Sequence, residues 1–218
     1  MKIYPYVIFD MDGTLLDSMH IWRNLGRDYL KSKGICPPGD LDERTAALSM
    51  DEGAEYFRRE LGVEETVQEI HREMSQMVEC AYRESLPLKP GVRGHLDFLR
   101  RRGIRMCVLT ATPSYLARMA FDRLDITEYF EFVLDCDEAG SGKTQPECFL
   151  EAARRLGANP REITVYEDAD FALETARKNG FHTVGIYDEG MAGRREEVRR
   201  LSEIYVEDYA ELQRQLED

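Results

Sequence analysis

A chain of 218 residues, 43% hydrophobic and 33% charged, is long enough for one large or two small domains with buried cores. Its net charge of -13 argues against nucleic acid or an anionic membrane as a partner, because either would be repelled; a bound phosphate would need local positive charge. No apolar run approaches the roughly 18 residues of a membrane span and no export-type pattern opens the chain, so a cytoplasmic protein is expected.

The first element is a strand. The run Tyr6-Val7-Ile8-Phe9 ends abruptly in Asp10-Met11-Asp12-Gly13-Thr14, the pattern of a buried strand whose carboxyl end delivers acids into a crevice. Alternation brings Asp10 and Asp12 near one another, and Gly13 lets the backbone bend where a side chain would obstruct it. Two carboxylates ~4 Å apart at an effective dielectric of ~20 repel by about 4 kcal/mol, so a cation is expected between them, most economically a metal. A calcium loop would need further oxygen ligands after the glycine, where Thr14-Leu15-Leu16 stand instead.

Helical periodicity follows. Ile21, Trp22, Leu25, Tyr29 and Leu30 form one stripe after Ser18, a plausible cap, and Gly34 with Pro37-Pro38 ends it. Residues 41–61 read as shorter helices broken near Ser49, and Val67, Ile70, Met74, Met77 and Ala81 define a long amphipathic helix. Leu86-Pro87-Leu88-Lys89-Pro90-Gly91 marks a return linker. Helices and strands then alternate: helix 92–102, strand 105–109, helix 114–124, strand 130–134, helix 146–156, strand 163–166, helix 169–179 and strand 182–186, with helix 196–201, strand 204–206 and helix 208–216 closing the chain. The expected fold is α/β, a doubly wound parallel-sheet core of Rossmann-like type (residues 1–16 and 89–218) with an inserted all-α cap (residues 17–88). The five cysteines, Cys36, Cys80, Cys107, Cys136 and Cys148, lack metal-type spacing and suit reduced packing thiols.

Each core strand releases polar groups at its carboxyl end, where ligands bind such sheets. The second ends in Thr110-Ala111-Thr112, the third is followed by Gly140-Ser141-Gly142-Lys143, and the fourth ends in Glu167-Asp168. Taken singly, Thr110 reads equally well as a helix cap, Lys143 as a loop charge, and Glu167-Asp168 as acids at a helix start. In this order after Asp10 and Asp12, they resemble the four motifs of the haloacid dehalogenase superfamily, with a cap in the position used by its β-phosphoglucomutase-like phosphatases.

The resemblance implies a Mg²⁺-dependent phosphomonoester hydrolase acting on a small phosphorylated metabolite. Asp10 would attack phosphorus and carry an aspartyl-phosphate. Asp12 would protonate the leaving group and then deprotonate water. Thr110 and Lys143 would bind the phosphoryl group, and Asp10, the Asp12 carbonyl, Asp168 and Glu167, direct or through water, would hold the metal. Gly13, Ala111, His20 and Met50 complete the expected substrate contacts. Ala111 replaces a commoner asparagine and Ala172 a commoner glycine, while Asp170 is a spare carboxylate that reads as a second metal candidate or a solvated acid.

Other readings exist. Gly142-Lys143-Thr144 mimics the end of a P-loop, but the glycine required five residues before Gly142 is Asp137. A dehalogenase needs no acid at Asp12, and a phosphonate hydrolase would want a cap lysine in an apolar pocket, where only Lys31 and Lys33 are available. A sugar-phosphate mutase remains an alternative, weakened because Met50 stands where such enzymes carry a phosphate-binding arginine. A non-catalytic binding protein on the same scaffold is the other. Oligomeric state is not readable from the sequence.

Overall fold

The computed structural model describes residues 4–45 and 48–217. Strand β1 (Tyr6–Phe9) has Val7, Ile8 and Phe9 buried, as expected for a strand covered on both faces. It is joined by β2 (Arg105–Thr110), β3 (Val133–Asp135), β4 (Ile163–Glu167), β5 (His182–Ile186) and β6 (Ile204–Val206). The spatial order is β3-β2-β1-β4-β5-β6 and every pairing is parallel. The chain therefore winds outward from β1 to β3, returns, and winds the other way from β4. That reversal leaves a crevice beyond the carboxyl ends of β1 and β4.

Register decides which side chains meet there. Phe9 pairs with Tyr166 on β4 and with Val108 on β2, so Asp10 leaves the sheet level with Glu167, and Thr110 lies one residue beyond that level on β2. The backbone N–H of Asp10 still bonds Tyr166 O at 2.9 Å, extending the ladder to the acid itself.

Four helices belong wholly or largely to residues 17–88: α1 (Met19–Ser32), α2 (Leu41–Thr45), α3 (Met50–Leu61) and α4 (Val67–Glu84). The break expected near Ser49 is a capping box, in which Ser49 N–H donates to Glu52 Oε2 at 2.8 Å and Glu52 N–H donates to Ser49 Oγ at 3.3 Å. The interior of this helical unit includes Tyr29, Leu30, Leu41, Phe57, Ile70 and Val78. The chain divides into Met1–Met19 with Tyr82–Asp218, and His20–Ala81, so its boundaries fall a few residues inside the expected 17 and 88. The two linkers bond one another: Asp17 N–H donates to Pro87 O at 3.0 Å and Lys89 N–H to Leu15 O at 2.9 Å.

The α/β unit continues through α5 (Val92–Arg101), α6 (Ser114–Arg123), α7 (Cys136–Ala139), α8 (Glu147–Leu156), α9 (Asp170–Lys178), α10 (Arg195–Leu201) and α11 (Tyr209–Glu217). One core cluster joins Ile8, Cys107, Leu109 and Val165 of the strands to Phe149 and Ala152 of α8 and Ala172 and Ala176 of α9. A separate aromatic group joins Phe9 and Tyr166 to His95 of α5 and Tyr209 of α11, with ring centroids 4.5 to 6.3 Å apart. Burial depresses the pKa of His95 to about 3, so it packs as a neutral ring.

The third strand departs from expectation. Strand 130–134 shrinks to Val133–Asp135 because Phe130 ends a 3₁₀ turn (Thr127–Tyr129) and packs on Phe9 and Phe121. Its apolar character serves that cluster rather than a ladder. Asp135 at the strand's end accepts N–H bonds from Ser114 and Glu138, both at 2.8 Å, and so completes the starts of α6 and α7.

Burial opposes charge on Asp135, yet these N–H bonds hold its carboxyl below the ordinary range. Asp135→Ala should lower unfolding stability by about 1–3 kcal/mol near neutral pH. A depressed carboxyl contributes above its unfolded pKa and loses that contribution as pH falls through the folded one. Denaturant titrations of both proteins should therefore converge in acid; a gap independent of pH would contradict the capping role.

Candidate active site

Asp10, at the end of β1, is buried, as are Glu167 and Asp168 at the end of β4. Lys143 comes from the segment between α7 and α8 and is also buried. Its ammonium donates to Asp10 Oδ1 and, at 2.7 Å, to Glu167 Oε1. Glu167 Oε2 accepts the N–H groups of Asp168 at 2.9 Å and Ala169 at 3.0 Å, at the turn into α9. Each oxygen of Glu167 thus already accepts a hydrogen bond, and Oε1 keeps a lone pair beyond the one Lys143 uses.

The Lys143 ammonium lies between Asp10 and Glu167, because register puts Asp10 level with Glu167, whereas the chain has already turned at Asp12. The Asp12 carboxylate faces hydroxyls, with Oδ1 accepting from Ser18 Oγ at 2.6 Å and from Tyr82 OH, and Oδ2 from Thr112 Oγ1 at 2.7 Å.

One ammonium does not balance the cluster. Asp10, Glu167 and Asp168 each offer an oxygen within 4.8 Å of the others, and Asp10 Oδ2 is buried without a hydrogen-bond partner. Burial first, then the Glu167 charge, pushes Asp10 up to about 7 against the pull of Lys143. Burial, Glu167 and Asp10 push Asp168 well above the carboxylate range. Burial alone would lower Lys143, but the charges of Asp10 and Glu167 raise it, so it stays an ammonium. Hard carboxylate oxygens with an orphaned lone pair and a deficit of positive charge fit Mg²⁺.

The turn after Asp12 is held against this cluster. Gly13 has φ +84°, and a Cβ there would lie 2.5 Å from Asp168 Oδ2, so both conformation and space require glycine. Lys89 donates to Gly13 O at 2.7 Å, Tyr187 O at 2.6 Å and Asp188 Oδ2 at 2.9 Å. Tyr209 OH donates to Thr14 O at 3.1 Å. Sequence reasoning read Lys89 only as part of a linker and gave no role to Asp188, Tyr82, Thr112 or Tyr209. Nothing in their spacing from Asp10 signals these contacts.

The remaining candidates divide by unit. Thr110 is buried, and its Oγ1 accepts Thr112 N–H at 3.0 Å, leaving the hydroxyl hydrogen available. Ala111 is exposed just beyond β2. His20 is exposed in α1, and Met50, the first residue of α3, is 62% exposed; Met50 lines a cavity of about 290 Å³ within the helical unit, with Trp22, Leu48 and Phe57. Asp170 is corrected: it is a buried acid, neither solvated nor part of the three-acid cluster, and it pairs with Arg194 through Nη2 and, at 2.8 Å, through Nε.

A parallel sheet wound both ways from β1, with an acid-lysine cluster at its switch point, defines the class as a Rossmann-like α/β fold with a cation-demanding site. Residues 4–180 match the haloacid dehalogenase-like hydrolase family, and the chain belongs to it. The phosphorylated carbohydrates phosphatase of Thermotoga maritima is 29% identical over 178 residues, covering 82% of this chain and 82% of that protein. Fructose-1-phosphate phosphatase YqaB of Escherichia coli is 30% identical over 189 residues, covering 84% of this chain and 96% of its own. A solved Thermotoga maritima structure, provisionally assigned as a beta-phosphoglucomutase, superposes with a TM-score of 0.85 at 26% identity, covering 97% of this chain and 98% of that one.

The raised acids predict competition between Mg²⁺ and protons. Without metal, a carboxyl whose folded pKa is raised contributes stability in acid that is lost as pH rises through about 7. Thermal unfolding with and without Mg²⁺ should show a metal-induced gain that grows from pH 5 to pH 8 and is flattened in Asp10→Asn. A gain equal at all pH values would place metal binding elsewhere.

Proposed function

We propose that this chain, a phosphoric monoester hydrolase, cleaves a small phosphorylated sugar or polyol through a covalent phosphate on Asp10. The observation that carries the reading is the asymmetric state of Asp10: one oxygen is neutralised by Lys143, and the other is buried, unpartnered and set within a cluster short of positive charge.

A phosphomonoester resists attack because nucleophile and ester are both anionic. Mg²⁺ would be held by Asp10, the Asp12 backbone carbonyl and Asp168, with Glu167 direct or through water, and would supply the positive charge that lets two anions approach. Asp10 attacks phosphorus as the bond to the leaving oxygen breaks, and Asp12 delivers a proton to that oxygen. Lys143 and the Thr110 hydroxyl bind the transferring phosphoryl oxygens. Asp12, now a carboxylate, takes a proton from water as the water attacks phosphorus, releasing phosphate and restoring Asp10.

Gly13 and Ala111 of the α/β unit, with His20 and Met50 of the helical cap, are the proposed substrate contacts. A sugar phosphate is supported by the relatives named for phosphorylated carbohydrates and for fructose 1-phosphate. The beta-phosphoglucomutase likeness favours a mutase as the second reading. Met50 counts against it, since a thioether cannot hold the second phosphate that a mutase must anchor.

A screen of sugar, polyol and nucleoside phosphates should find inorganic phosphate released only when Mg²⁺ is present. Asp10→Asn should lower turnover at least about a thousandfold, and Asp12→Asn by roughly 10²–10⁴-fold. Full turnover after chelation, or in Asp10→Asn, would remove the mechanism. Conversion of a hexose 1-phosphate to its 6-phosphate without net phosphate release would select the mutase.

A further inference from the structure

Asp12 is reached by three hydroxyls from three separated parts of the chain. Ser18 follows the β1 turn and Thr112 follows β2; Tyr82 stands in the last turn of α4. Tyr82 is fully buried, and a phenol placed there must find a polar partner for its hydroxyl. The partner is Asp12 Oδ1.

The phenol is positioned independently of the acid loop. Arg123 of α6 donates to Tyr82 O at 3.3 Å and to Leu86 O at 2.5 Å, fastening the end of α4 and the chain just beyond it. Of α4, only Tyr82–Glu84 belongs to the α/β unit; the preceding turns belong to the helical one. One of Asp12's hydrogen bonds is therefore set by a helix that is continuous into the other unit.

We propose that Tyr82 is a positioning residue for Asp12, aiming its carboxyl at the leaving oxygen, so that cleavage of esters with strongly basic leaving groups depends on the last turn of α4. The inference rests on the reading of Asp12 as the proton carrier. A hydroxyl can donate to a carboxylate and accept from a carboxylic acid, so Tyr82 serves Asp12 both before and after proton delivery. The proton moves from Asp12 to the leaving oxygen as its bond to phosphorus breaks, and the phenol keeps its own proton throughout. Ser18 and Thr112 alone would still hold the carboxylate but would leave Oδ1 with a single donor.

The test compares two esters. An alkyl phosphate such as a hexose phosphate leaves as an alkoxide and needs the proton; p-nitrophenyl phosphate leaves without it. The kcat/KM values report the step up to the covalent phosphate, and their ratio isolates leaving-group protonation from the shared second step. Tyr82→Phe keeps the ring that fills the site and should fold, as thermal unfolding can verify. It should lower kcat/KM for the alkyl ester roughly tenfold while changing that for the aryl ester less than about threefold. In an Asp12→Asn background, Tyr82→Phe should have no further effect on the ratio, because it acts through Asp12. Equal loss on both esters, no loss on either, or an additive effect in the double variant would overturn the role of Tyr82. An unchanged ratio in Asp12→Asn alone would instead overturn the proton-carrier reading on which the role rests.

Discussion

The site depends on one ammonium shared between two carboxylates. Lys143 bridges Asp10 and Glu167 in a largely buried place, and a third acid, Asp168, shares the space. Buried ions are costly unless paired and hydrogen-bonded, and this arrangement satisfies only part of that demand. Glu167 is the best satisfied of the three, with Lys143 on one oxygen and two N–H donors on the other. Asp10 is incomplete, and among the described residues the Asp168 carboxylate accepts only from the Thr14 hydroxyl, at 3.5 Å. The shortage of positive charge is concentrated where an incoming phosphate would add more negative charge; the proposed mechanism puts Mg²⁺ there and has Asp10 attack through its second oxygen.

The rest of the fold holds that arrangement in register. Parallel pairing of β1 with β4 fixes Asp10 beside Glu167, and the switch in strand order opens the sheet at that point. The Asp10 turn is then tied from outside: Lys89 grips Gly13 O, Tyr209 grips Thr14 O, and Asp188 neutralises Lys89. Because Gly13 lies against Asp168, these ties also fix the spacing between the two acid-bearing strand ends. The acids repel one another, and contacts that make no direct use of the substrate oppose that repulsion.

Much of this was legible in the sequence because strand ends announce themselves. A β-branched run stopping at Asp10, and another stopping at Glu167-Asp168, are local patterns, and their order along the chain implied the sheet and the resemblance together. Lys143 was legible only through that order, since a lysine after Gly140-Ser141-Gly142 has no local mark of burial. Tyr82, Thr112 and Lys89 were not legible: each is defined by a partner between 70 and 100 positions away, and their local surroundings read as helix, strand end and linker. Asp170 was misread because its partner, Arg194, lies beyond the next strand. Phe130 looked like strand because aromatic clustering and ladder pairing use the same residue types.

The most direct test of the central claim is a crystal structure of the protein grown with Mg²⁺ and beryllium fluoride, a mimic of a phosphoryl group on a carboxylate. The expected result is beryllium bonded to Asp10 Oδ2, fluorines within reach of Lys143 and Thr110, and Mg²⁺ bound by Asp10, Asp168 and the Asp12 carbonyl. An adduct on any other residue, or a metal bound away from the Asp10, Glu167 and Asp168 cluster, would contradict it.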